Sequence, residues 1–544
     1  TQSKNTVIGK PKICDIATMI EFSVVSNIIL IVFLGLGSVL YALWSWYRLI
    51  LEQRKPIDGL PMPPNSHWLW GHVRQMAGND FRVSFHYLSE EYCNKYGQTG
   101  IWSLSRPAVV VTHWEDARSI LHPTHYRVPI SIVRHHIHQF LGSRNIGLLN
   151  GKEWKFHRAS ILRALRPKLI QESKVGIHKV MKTLLQSLKQ HETPLPIQTD
   201  IGSLMKMITL DIFGETAFSM DLGCCLRLKP STLAVAFDYM GEEMTRRMFL
   251  THSLTDIFYW IPTPSNRRYQ RERKVLRQFL HTIIQDRRCQ ASKNASKDLL
   301  DSVLKGLDSE QESNPNMTSG LADKTLSDIL LSLLFAGYDT TSIALTYALY
   351  HIATNPEIKQ KCLNEILRTD DWDPDTLPFC QAVILETLRL YPPSPITTRT
   401  IESPVQIRGG TVIPANTQAW IPIWNIHRND ANFERPLDFR PDRWVWYHKE
   451  KQIWIERNED EDSIQGNEEM QISPANRNAF FAFSAGARSC PGSQFAKTEA
   501  VLILAYLVKN LDFTLHPNYE LHPIRAGLVQ RPRDAMNMTL QWRE

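Results

Sequence analysis

Cys490 stands in the run Phe483-Ser-Ala-Gly486-Ala-Arg488-Ser-Cys490-Pro-Gly492. Glycines and an arginine around one cysteine describe a tight, electropositive loop in which the thiol pKa falls and the thiolate can serve a metal. Gly486 and Gly492 are expected to adopt backbone that a β-carbon would block. Elsewhere a lone cysteine is more often a small buried hydrophobe, so the loop carries the reading rather than the residue. A second constellation, Leu333-Leu-Phe-Ala336-Gly337-Tyr338-Asp339-Thr340-Thr341-Ser342, sets an acid and alcohols in an apolar segment. Such a pair can bring protons to a site kept dry; the alternative is a threonine-rich helix that merely packs. Gly337 and back-bonding threonines predict a local opening of that helix. Glu386-Thr-Leu-Arg389 puts opposite charges on one side of a helix, which alone would be an ordinary surface ion pair.

These groups need a scaffold, and the chain can supply it. Of 544 residues 43% are hydrophobic and 22% charged, a globular composition with ample core. No repeat or Gly/Ser linker divides the chain beyond residue 60, so 72–544 reads as one catalytic domain. The net charge of +7 is spread out, which suits an anionic membrane surface or an acidic protein and excludes nucleic acid as the partner. The cysteines show no CxxC pair, favouring a reducing compartment.

After an N-terminal segment, 1–23, the stretch 24–47 is almost free of charge and ends in Trp44, Trp46 and Tyr47. It is long enough to cross a hydrocarbon layer of roughly 30 Å, and too long for a signal peptide. A basic, proline-rich hinge follows at 48–71. Thr99–Leu104 and Ala108–Thr112 read as strands, Ser309–Gly320 as a loop before a long apolar helix, and Glu456–Glu469, with seven acidic residues, as a solvated surface loop. Lying shortly before the cysteine loop, that acidic run is expected near the face on which an electron donor docks. In Arg134-His135-His136-Ile137-His138, histidines two apart could share a strand face as in a metal site, but no carboxylate or cysteine accompanies them. Sequons at Asn294, Asn316 and Asn537 are expected to stay unmodified.

Phe483, Gly486, Arg488, Cys490 and Gly492, followed by Phe495-Ala496 and Glu499, resemble the haem-binding loop of the cytochrome P450 family. The resemblance implies a mainly α fold with small β-sheets (α+β), preceded by an N-terminal transmembrane helix. It implies haem b, iron protoporphyrin IX, with Cys490 as axial thiolate and metal ligand. The 333–342 segment is similar to the family's oxygen-binding helix, in which Thr340 would bond iron-bound oxygen while Asp339 passes protons through water. Glu386 and Arg389, with the later Phe439-Arg440-Pro441-Asp442-Arg443-Trp444, resemble the Glu–Arg–Arg network that braces the haem pocket; Arg443 is its third member. Trp154-Lys-Phe-His-Arg158 matches a Trp-xxx-Arg element, which with Arg399 and Arg488 is assigned to the haem propionates, and Phe483 and Gly492 complete the cofactor-binding set. His427-Arg428 is assigned to packing. Where some fatty-acid hydroxylases of the family carry a glutamate bonded covalently to haem, this chain has Ala336.

By that resemblance the chain is a monooxygenase of a hydrophobic, lipid-like molecule such as a fatty acid, sterol or terpenoid. It lacks a flavin or dinucleotide fingerprint, so electrons come from NADPH through a separate reductase, with cytochrome b5 as a further partner. Membrane lipid is the expected surface, with a single-pass anchor in the endoplasmic reticulum and a cytosolic catalytic domain. The 134–138 run falls in the loop expected to roof the substrate pocket, where Arg134 or a neighbouring histidine could hold a fatty-acid carboxylate. Two other readings stay open: an O2-independent isomerase or dehydratase of hydroperoxides, and a haem- or lipid-binding sensor without turnover.

Overall fold

The structure is a computed structural model describing residues 32–48, 57, 59–64, 67, 71–72, 90–103, 106–122, 131–190, 195–250, 261–290, 298–313, 319–448, 453–456, 475–526 and 528–543. Its longer helices in the body are α1 (Trp114–Leu121), α2 (Ser131–Leu141), α3 (Gly151–Ala164), α4 (Pro167–Gln190), α5 (Ile201–Phe218), α6 (Thr232–Leu250), α7 (Pro264–Gln290), α8 (Leu299–Ser313), α9 (Ser319–Thr354), α10 (Pro356–Ile366), α11 (Pro378–Leu390) and α12 (Ser493–Asn510). The architecture is mainly helical with small sheets, as expected.

The axis of the molecule is α9, 36 residues long and therefore about 54 Å from end to end. Its apolar side chains point in every direction and are met on every side, because α5, α7, α8, α11 and α12 all pack on it. Among the described residues it is the helix long and apolar enough to cross a membrane, yet most of it is buried inside the protein. It stops where Asn355 donates its side-chain amide to the His351 carbonyl, 2.7 Å, and Pro356 begins α10.

A four-stranded sheet in the order β1-β2-β7-β4 lies to one side, built from β1 (Gln98–Ser103), β2 (Arg106–Val111), β4 (Thr397–Thr400) and β7 (Gln418–Ile421). The hairpin β1–β2 matches the sequence expectation, with Gly100 opposite Val109. A second sheet joins β3 (Ile197–Asp200), β10 (Leu511–Leu515) and β13 (Asn537–Trp542). Two-stranded pairs are made by β5 (Val405–Gln406) with β6 (Val412–Ile413), β8 (Val445–His448) with β9 (Ile453–Glu456), and β11 (Pro523–Ala526) with β12 (Val529–Pro532). The sequon Asn537 opens β13, while Asn294 and Asn316 lie outside the described residues.

Several expectations change. The loop placed at Ser309–Gly320 is helical up to Ser313, where α8 ends, and again from Ser319. The Arg134–His138 run is neither strand nor loop but the middle of α2, so histidines two apart diverge on a helix. His136 is buried and Arg134 exposed, and among the described residues no three His, Cys, Asp or Glu side chains gather as metal ligands. Glu456 closes β9 and pairs with Arg477 at 2.8 Å; the rest of the acidic run lies outside the described residues. So do positions 24–31 of the expected anchor and most of the hinge, whereas 32–48 form a helix with exposed Phe33, Leu34, Leu40, Tyr41 and Trp44.

No opening of α9 follows from Gly337, since the helix runs through it unbroken. The glycine answers a different need: a β-carbon there would come 2.8 Å from Cδ2 of Phe213 on α5. Gly337→Ala should therefore lower the thermal midpoint even though alanine is the better helix former by about 1 kcal/mol. Adding Phe213→Leu should recover the loss in a double-mutant cycle read by thermal unfolding.

Candidate active site

Cys490 is exposed and lies just before α12, whose first turn starts at Ser493 with Gly492 capping it. A helix N-terminus carries partial positive charge, which favours a thiolate. The loop closes on itself because the Cys490 amide donates to the Phe483 carbonyl at 2.8 Å and Ser489 to Gly486 at 3.0 Å. Gly486 has φ +68°, and a β-carbon on it would strike the Leu121 carbonyl oxygen at 2.3 Å, so here the glycine is obligatory. The reason given for Gly492 needs correcting: its φ is −92°, ordinary for any residue, and a β-carbon there would meet nothing within 4 Å.

The loop is bolted to α3 by its arginines. Arg158 donates to the Ser489 carbonyl at 2.8 Å and to its hydroxyl at 3.3 Å; burial lowers the Arg158 pKa, and the neighbouring Cys490 charge opposes that. Arg488 donates to the Leu149 carbonyl at 2.8 Å and Asn150 Oδ1 at 2.6 Å, and its guanidinium lies 4.0 Å over the buried Trp154 ring. Arg399 is buried on β4, donating to Thr397 Oγ1 at 3.0 Å and the Thr398 carbonyl at 2.9 Å. The structure thus brings Trp154, Arg158, Arg488 and Cys490 together.

Beneath the loop, Glu386 is fully buried on α11. Arg389 Nε and Nη2 clasp it at 2.9 and 2.8 Å, Arg443 Nε reaches it at 3.1 Å, the Arg440 amide at 2.9 Å and Trp444 Nε1 at 3.0 Å. Burial would raise the Glu386 pKa, but Arg389 and Arg443 overcome it and the carboxyl lies below its usual range. The three residues expected to form a network do so.

His427, read from sequence as packing, is the link between this network and the cysteine loop. Its Nε2 accepts the Phe481 amide at 2.8 Å, so Nδ1 carries the proton and donates to the Arg389 carbonyl at 2.9 Å. Burial lowers its pKa to about 3, in keeping with a neutral ring. The available signal was its position between the two network motifs, but two backbone contacts leave no mark in residue types.

Across the site is α9. Ala336 is exposed in a helix otherwise largely buried, and Thr340 Oγ1 donates to its carbonyl at 2.6 Å. Thr209 of α5 donates to the Tyr338 carbonyl at 3.0 Å, fixing the turn that carries Asp339. Burial raises the Asp339 pKa, Lys206 and Arg531 oppose this, and Asp238 adds to it. A cavity of about 20 Å³, room for roughly one water, is bordered by Asp339, Asp238, Glu242 and Arg531. One step further along, Glu499 of α12 is buried against Thr341; burial pushes its carboxyl well above the usual range, and the bond to Thr341 opposes this.

The donor set fits a thiolate-held haem: an exposed cysteine at a helix N-terminus, an exposed alanine on the facing helix and arginines beside the cysteine loop. The Cytochrome P450 family profile matches residues 61–537, and the chain belongs to that family. It is similar to human "Cytochrome P450 4F11", 24% identical with 92% of this chain and 93% of that protein covered, and to rat "Cytochrome P450 4X1", 24% identical with 90% and 92% covered. A fungal relative, "Cytochrome P450 monooxygenase 205" of Postia placenta, is 24% identical over 93% of this chain and 96% of its own. The family's cofactor is haem b with an axial thiolate, reduced by electrons originating from NAD(P)H.

Removing one partner from a buried ion pair costs about 3–5 kcal/mol, so Glu386→Ala and Arg443→Ala should yield protein that folds poorly and retains little haem, read by absorbance per chain. His427 and His351 are both lowered to about 3 by burial. The folded state binds fewer protons than the unfolded, so their stabilisation is whole above pH 6.5 and is lost as pH falls from there toward 3. Each should cost on the order of 2 kcal/mol at pH 5, and His427→Gln should flatten stability against pH between 5 and 6.5.

Proposed function

We propose that this cytochrome P450 monooxygenase inserts one oxygen atom of O2 into a hydrophobic, lipid-like substrate, with Cys490 as the haem ligand and electrons from NADPH passed by a separate reductase. The observation that carries the assignment is the exposed Cys490 sulfur before α12, tied through Ser489 to Arg158 of α3. The bound haem supplies oxygen activation. Arg158, Arg399 and Arg488 form its cationic rim, with Trp154 as a neutral N–H donor beside them and Arg158 and Arg488 also holding the loop to α3. Phe483 closes the loop through its carbonyl, and Glu386, Arg389 and Arg443 hold the segment beneath.

Oxygen insertion consumes protons at a site shielded from water, and Asp339 with Thr340 supplies them. The raised Asp339 pKa lets it keep a proton at a pH where an ordinary carboxylate would not, and the water-sized cavity at Glu242 and Arg531 resupplies it. Thr340, whose hydroxyl donates to the Ala336 carbonyl, is the hydrogen-bonding alcohol of the pair, and Asp339 delivers protons to the site through water. This pair weighs against an isomerase or a silent sensor, neither of which needs proton delivery. The exposed apolar helix 32–48, with Arg48 5.1 Å over Trp44 at its end, supports a membrane anchor that sets the body on the endoplasmic reticulum surface.

The dithionite-reduced holoprotein should give a red-shifted Soret band with carbon monoxide, and Cys490→Ala should lose it; an unchanged band in the variant overturns the ligand assignment. Asp339→Asn should reduce turnover at least 10-fold and enlarge the solvent isotope effect, whereas Thr340→Ala should divert NADPH electrons to hydrogen peroxide. With alanine at 336, haem should extract fully into acidified organic solvent.

A further inference from the structure

A second cavity, of about 800 Å³, lies between α2, α7 and the N-terminal part of α9. It shares no lining residue with the small cavity at Asp339. Asp328 on its wall is about 18 Å along α9 from Thr340. Between the two, Phe140 of α2 packs edge-on against Phe335 and Phe237, at ring distances of 5.6 and 5.9 Å.

Charged and polar side chains stand along its walls beside apolar surface, and the charges do not balance. Arg273, Lys274, Arg277 and Lys324 face Asp323 and Asp328. Both carboxylates are already engaged. Asp328 is buried, bonded by Arg277 Nη1 at 2.5 Å and by the Arg144 amide at 3.0 Å. Asp323 is taken by Arg288 at 2.8 Å, from outside the cavity lining. Among the described residues neither Lys274 nor Lys324 has a carboxylate within ion-pair distance, and the side-chain contact of Arg273 is a long one to Gln139 Oε1, 3.4 Å. His138 adds a buried Nε2 with no hydrogen-bond partner among the described residues.

Four cations against two committed carboxylates leave about two positive charges in a concave, partly enclosed space. From this we infer that the cavity is a binding site for a phosphate monoester, with Arg273, Lys274 and Lys324 as its ligands. A phosphate monoester carries about −1.5 to −2 at neutral pH and accepts several charge-assisted bonds, matching both the charge and the donors. A monocarboxylate would cancel only half of the excess. Occupancy has a route to α2, because Asp328 lies against Gly142 at the end of that helix, where φ is +89° and a β-carbon would sit 2.0 Å from Oδ1. An anion that draws Arg277 from Asp328 loosens the contact that pins α2.

The inference concerns binding alone and stands apart from the assignment of Cys490. The test titrates the full-length holoprotein with glycerol phosphate by calorimetry, at 50 and 300 mM salt, for wild type and Arg273→Gln/Lys274→Gln. Saturable wild-type binding, weakened at least 10-fold in the variant and by salt, supports a soluble phosphate ligand. A parallel flotation with phosphatidylcholine vesicles, with and without phosphatidate, identifies a lipid headgroup if phosphatidate increases wild-type recovery and the variant loses that increment. Lys168→Gln/Lys182→Gln, two exposed cations on α4, is the matched charge control. Binding absent in both arms, or equally reduced by the control, overturns the proposal; an unchanged haem spectrum in each variant shows that the fold is intact.

Discussion

A carboxylate removed from water must find its solvation inside the protein, and Glu386 does so completely. Two guanidinium groups, one backbone amide and an indole N–H surround its two oxygens. A buried charge left short of partners is among the costliest defects a fold can carry, so the segments that supply those partners cannot move independently. Arg389 also grips three backbone carbonyls, those of His427, Pro436 and Asp438, and Arg443 grips Glu434 and Arg435. The stretch from 427 to 444 has almost no regular structure, and this charge network stands in for it. Through His427 the same network reaches the amide of Phe481 and so the loop that carries Cys490.

The opposite wall is built on different physics. Helix α9 has few charges in its central half and is positioned by close packing and by Thr209, which ties α5 to it through one main-chain carbonyl. Its buried hydroxyls are satisfied within the helix, Ser332 by the Asp328 carbonyl and Thr346 by the Ser342 carbonyl, while Ala336, Asp339 and Thr340 lie where the packing is less complete. The site is therefore held between an electrostatically fixed floor and a van der Waals ceiling. Glu499 of α12, its carboxyl pushed well above the usual range by burial, meets Thr341 of α9 and joins the two directly.

What the sequence made legible follows from this division. The cysteine loop, the Glu386 network and the acid–alcohol pair could be read because each depends on particular side chains at short, fixed spacings. Gly337 was misread because its reason is Phe213, more than a hundred residues away, and no local pattern encodes a close approach of two helices. The histidine run at 134–138 was misread because spacing alone does not separate strand from helix; burial of α2 against α6 decides it. His427 was read as packing because both its partners are backbone atoms.

That last point extends to the whole floor of the site. Arg389 and Arg443 recognise carbonyl oxygens, which every amino acid offers, and ask almost nothing of the side chains that bear them. Apart from His427, Arg443 and Trp444, the 427–444 segment is in this sense held by its path and not by its composition. Sequence there can drift widely while the clamp stays closed, provided the chain still turns at the same places. Relatives sharing only about a quarter of their residues with this chain can keep the same floor by this means. The requirement on inheritance is a short list of gripping residues and a long stretch of anonymous backbone.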